Sequence, residues 1–66
     1  MKQAQVKEIV VQEGPTRMGV RYVIEVAGGY LNQDGSITSE KGVADKFMHR
    51  ATAQGVAEAH WYTVTN

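Results

Sequence analysis

Arg17-Met18-Gly19-Val20-Arg21-Tyr22-Val23-Ile24-Glu25-Val26-Ala27, closed by Gly28-Gly29, is the stretch on which the architecture turns. Met18, Val20, Tyr22, Ile24 and Val26 fall on one side of an extended chain. Arg17, Gly19, Arg21 and Glu25 fall on the other. A period of two marks a strand with one wet face and one buried face. The chain is therefore expected to build a small sheet whose apolar side must be covered by something else.

Upstream, Gln5 to Gln12 reads as an earlier strand, with the β-branched run Ile9-Val10-Val11 favouring a pleated surface. Its alternation is less clean. Val6 and Val10 share a side with Glu8, while Lys7, Ile9 and Val11 share the other. Between the two runs, Glu13-Gly14-Pro15-Thr16 breaks the pattern, since Pro cannot donate to a ladder and Gly suits a turn. An antiparallel hairpin is expected there. Downstream, Gly28-Gly29 ends the strand or bulges it. Asp34-Gly35, between Tyr30-Leu31-Asn32 and Ser36-Ile37-Thr38, signals a second hairpin.

The C-terminal part admits two readings. Ala53, Val56, Ala57 and Trp61 recur at helical spacing, and so, on another phase, do Ala44, Phe47, Met48 and Ala51. In the first reading Lys46 to Arg50 is extended and a helix runs from Thr52, as N-cap, to about Tyr62. In the second the helix begins near Val43 and runs through Gly55. The first is preferred. Thr63-Val64-Thr65 is β-prone and offers a final short strand.

Length and composition bound the rest. A chain of 66 residues is one domain, 1–66, and domains this short are marginal on their own. It has no cysteine, so disulfides and thiolate metal sites are excluded, and association is the remaining means of support. Seven basic and seven acidic side chains cancel, which draws the chain neither to a nucleic-acid backbone nor to an anionic membrane. The opening Met1-Lys2-Gln3-Ala4-Gln5-Val6-Lys7 is not expected to be a signal peptide, and no apolar stretch approaches the ~20 residues of a membrane helix. A cytoplasmic location is expected.

Groups able to carry chemistry are sparse. His49 and His60 are the only histidines, and their spacing matches no zinc motif. Ser36 and Ser39 lie in a polar turn region with no nucleophile elbow, and no pair of carboxylates stands out. A chain this short is expected to be unable to enclose a usual ligand pocket of ~300 Å³ or more and still keep a core. Neither an enzyme nor a cofactor is expected. Arg17 and Arg21 on the wet strand face, with Lys46 and Arg50, supply the case for nucleic acid as a second reading. Trp61 and Tyr62 are adjacent on the expected helix, about 100° apart, so one of them is expected to be exposed or held by a partner.

The arrangement Tyr22-Val23-Ile24-Glu25-Val26, Gly29-Tyr30-Leu31, a Gly turn, Ala44 to Phe47 and a helix with Ala57-Glu58-Ala59 resembles many short orphan proteins of phages and prophages. These include small sheet-plus-helix binders such as anti-CRISPR proteins and phage inhibitors of RNA polymerase. The resemblance is one of element types along most of the chain. It implies a binder that inhibits or modulates a host protein complex, and it carries no site residues.

The expectation is thus an α+β domain: an antiparallel sheet of three to four strands packed by one C-terminal helix. Its expected role is protein interaction, with a homodimer as one form. The expected contacts are an open strand edge, the wet face around Arg17, Arg21 and Glu25, and the Trp61-Tyr62 end. A small enzyme or ligand carrier is retained only through His49 and His60.

Overall fold

The computed structural model describes residues 2–65. Its elements are β1 (Lys2–Gln12), β2 (Met18–Val26), β3 (Gly29–Leu31), β4 (Ile37–Thr38), α1 (Arg50–Ala59) and β5 (Tyr62–Val64). The strands form one sheet in the order β4-β3-β2-β1-β5. The first four strands pair antiparallel, as the local turns require. The sheet is nonetheless mixed and has five strands, because β5 returns parallel to β1 with Lys2 beside Tyr62 and Ala4 beside Val64. The backbone amide of Thr65 donates to the Ala4 carbonyl at 2.9 Å and extends that pairing.

The long hairpin pairs Ala4 with Val26 through to Gln12 with Met18 without a bulge. Its loop is closed by the Glu13 amide donating to the Arg17 carbonyl at 3.0 Å. The β2–β3 connection is only Ala27-Gly28, with Gly28 at φ 91°, where a side chain would be strained. The β3–β4 loop follows the Asp34-Gly35 signal. The Asn32 amide donates to the Ser36 carbonyl at 2.8 Å, and the Asp34 carboxylate accepts from the Ser36 amide and hydroxyl at 3.0 and 2.7 Å.

The helix begins at Arg50, two residues before the expected cap Thr52 and well after Val43. The reason is tertiary. Phe47 and Tyr22 exchange backbone hydrogen bonds of 2.8 and 2.9 Å, so the chain at Phe47 extends the sheet beside β2. His49 remains extended and is the N-cap, with no side-chain capping bond. Ahead of it, residues 40–44 form an isolated turn. Its carbonyls at Lys41, Gly42 and Ala44 all accept from Lys46 Nζ.

Helix α1 lays Ala53 and Ala57 on the sheet, both fully buried, and these small side chains let the helix backbone approach closely. Beneath them lie Ala4, Val6, Ile24, Val26, Leu31, Phe47 and Tyr62. Val56, Tyr22 and Val64 close the rim. The expected apolar stripe on β2 is therefore a core only in part: Ile24 and Val26 are buried, while Val20 and Met18 are exposed. Val23, on the side expected to be wet, is fully buried outside the helix-covered cluster. The molecule measures 42 × 22 × 19 Å, and the β1–β2 hairpin gives it its length. Among the described residues no helix is long and apolar enough to cross a membrane.

Candidate interaction surface

The outer half of the β1–β2 hairpin projects past the helix as an arm. On the face that continues the core, Val10 lies opposite Val20 and Gln12 opposite Met18. Val10 and Met18 are each 64% exposed and Val20 is 41% exposed. On the other face Ile9 and Val11 are half-buried. A two-stranded ribbon with apolar groups on both faces cannot bury either face by itself.

Among the described residues the β1 edge of the arm is also open. In an antiparallel strand alternate residues send their N–H and C=O to opposite sides. The Ala4 carbonyl points to β5, since it accepts from Thr65, and the Val6 carbonyl points the same way to accept from Arg50. Glu8, Val10 and Gln12 share that phase, so their backbone groups face outward. β5 pairs with Lys2 to Ala4 of this edge. On β2 the corresponding edge is taken by Phe47 at Tyr22 and, at the Val20 carbonyl, by the Arg21 guanidinium.

The wet-face residues do not converge. Arg17 and Glu25 are exposed, but eight strand positions separate them, about 27 Å. Arg21 is half-buried and engaged: its guanidinium pairs with Glu13 and donates to the Val20 carbonyl at 2.8 Å. Gly19 makes that pairing possible, because a Cβ there would overlap the Glu13 carboxylate. Arg50 donates to the Val6 carbonyl at 3.3 Å and lies 5.1 Å over the Tyr22 ring. Together with Lys46, which caps its own turn, these contacts occupy three of the four cations behind the nucleic-acid reading. Such engaged cations have less to offer phosphate.

Trp61 and Tyr62 lie beyond the helix, not on it. The helix ends at Ala59, and Trp61 adopts φ 69°, the left-handed conformation that helices commonly use at this position with glycine. This reverses the chain into β5. Tyr62 is consequently buried in the core, with the Lys2 ammonium 4.6 Å from its ring centre, and Trp61 is 86% exposed. The expected divergence of the two rings holds, but its cause is the helix stop and not an angle on a helix.

The histidines stand apart. His49 occupies the N-cap position without a capping bond, and His60 Nε2 lies 3.0 Å from the Gln33 carbonyl, tying the helix end to the β3–β4 loop. The same loop is tied to the turn before Phe47. The Gln33 amide donates to Asp45 Oδ2, and the Asp45 amide donates to Asn32 Oδ1, both at 2.9 Å. The hydrogen bond from the Ser36 hydroxyl, and then that from its amide, holds the Asp34 carboxyl below its ordinary pKa. Among the described residues no three His, Cys, Asp or Glu side chains are grouped to hold a metal ion.

An open cleft of about 640 Å³ lies at the opposite end of the sheet from the arm, between Lys2, Glu25, Val26, Ile37, Tyr62 and Thr65. The cleft is open to solvent and does not enclose a ligand. Its charged lining is limited to Lys2 and Glu25.

Sequence reasoning missed Val10, Val20 and Met18 as surface residues, because their spacing is that of a core stripe. The signal that could have found them is length. A helix of 10 residues spans about 15 Å, whereas an 11-residue strand spans about 36 Å. No family model, no curated protein and no solved structure matches this chain.

Proposed function

We propose that this protein is a non-enzymatic interaction module that works by presenting the β1–β2 arm to a protein surface. The observation that carries this reading is the arm itself: Val10, Met18 and Val20 exposed on a ribbon whose β1 edge is open. Open edges offer hydrogen bonds that another strand can complete, and the apolar side chains add burial. Trp61 is a second contact point at the far end of the molecule, since exposed Trp is enriched among residues that dominate interfaces. The likeness to short phage and prophage binders supports a host-directed form of the same reading, in which occupation of a complex inhibits or modulates it.

A photo-crosslinking side chain placed at Val20 in the producing cell tests this, with Glu58 on the exposed helix face as control. The expected result is a covalent protein adduct at position 20, identified by mass spectrometry, and none above background at position 58. Equal background labelling at both positions would remove the arm as a contact surface.

A further inference from the structure

The outer edge of β1 is not equally suited to any strand. We propose that its occupant is a second copy of this chain, paired antiparallel about a two-fold axis at Val10; this rests on the arm being a contact surface. The argument is one of register. In a two-fold antiparallel pairing each residue faces its mirror position, and facing side chains lie on the same side of the sheet. Centring on Val10 sets Val10 opposite Val10 and Glu8 opposite Gln12 on one face. On the other it sets Ile9 opposite Val11 and Lys7 opposite Glu13. Apolar groups meet apolar groups, and charges meet polar groups or opposite signs.

Neighbouring registers fail this test. Centring on Lys7 or Glu8 places a charge opposite itself, which is destabilising. Centring on Ile9 sets Lys7 against Val11 and Glu8 against Val10. Centring on Val11 sets Ile9 against Glu13. Glu13 is turned toward Arg21, so its facing Lys7 supplies a preference of sign and not a formed bridge.

Backbone phase selects the same register. Glu8, Val10 and Gln12 are the β1 residues whose outward groups lie beyond both β5 and the Arg50 guanidinium at Val6. Centring on Val10 pairs those three residues with themselves, giving about six interchain hydrogen bonds. It also brings the second copy's Gly14 turn level with Val6, where Arg50 already sits, so the strand ends where the edge ends. The chain carries no net charge, so two copies approach without overall repulsion.

Substitution at Val10 tests both partner and register, because its side chain is exposed and does not support the fold. Wild-type protein is expected to sediment as a dimer at about 100 μM, and Val10→Lys and Val10→Glu are each expected to weaken self-association about tenfold. Mixing the two variants is expected to restore a dimer. In Val10→Cys, the only cysteine is expected to form a disulfide across the axis, since facing residues of this type lie about 5.5 Å apart. Val20→Cys, one strand away, is expected not to. A dimer whose Val20→Cys variant crosslinks in preference to Val10→Cys would overturn edge pairing. So would variants that do not complement each other. A monomeric wild type that still gives the Val20 photo-adduct with another protein overturns self-pairing and leaves the interaction reading standing. A monomer with no adduct overturns both.

Discussion

Trp61 is the residue whose local chemistry and position disagree most. Its φ of 69° costs a residue with a Cβ roughly 1–2 kcal/mol, and helix ends usually assign such a position to glycine. Its ring is 86% exposed, so no core packing offsets that cost. Trp61→Gly is therefore expected to raise stability by about 0.5–1 kcal/mol, the strain relief being partly offset by the greater freedom of glycine when unfolded. Urea denaturation followed by far-UV circular dichroism measures it. A loss of stability would show that the indole ring supports the fold after all.

Helix α1 is held in place mainly by its contacts. Its N-cap His49 makes no capping bond, its first turn carries no acidic residue and its last turn no basic one. Gly55 sits within it on the exposed side, and a Cβ there would meet nothing within 4 Å. What holds the helix is the burial of Ala53 and Ala57 in the core cluster that includes Ala4, Val6, Ile24 and Tyr62, with the Arg50 bond to Val6 at one end and the His60 contact with Gln33 at the other. Gly55→Ala is expected to stabilise the protein by about 1 kcal/mol, raising the midpoint of thermal unfolding by roughly 4–8 °C. Calorimetry would detect a shift of that size. The weak intrinsic signals also explain why the start of the helix was illegible in sequence. With no cap box at either candidate position, the Phe47–Tyr22 backbone pairing decided it, and that pairing joins residues 25 positions apart.

Over the molecule as a whole, one apolar stripe serves two purposes. Met18, Val20, Ile24 and Val26 alternate identically along β2, yet Ile24 and Val26 are core and Met18 and Val20 are surface. Ile24→Ala is expected to cost about 2–5 kcal/mol, a large share of the stability of a domain this small. Val20→Ala is expected to stay within about 0.5 kcal/mol of wild type. Both would be measured by urea unfolding at dilute concentration, so that association does not contribute. Similar losses for the two would mean that the arm is covered within the monomer.

The residues themselves determined the local elements: the β2 strand through its alternation, the long hairpin through Gly14-Pro15, the second hairpin through Asp34-Gly35, and the helical character of residues 53–57 through their spacing. Each of these depends on neighbours within a few positions, where steric preference and hydrophobic period act directly. Tertiary structure alone decided the parallel return of β5, the burial of Val23 and Tyr62, the capture of Arg21 and Arg50, and the division of the apolar stripe. Those outcomes depend on which distant segment reaches which part of the sheet. A helix of about 15 Å cannot cover a strand more than twice its length, and the part left uncovered is the arm.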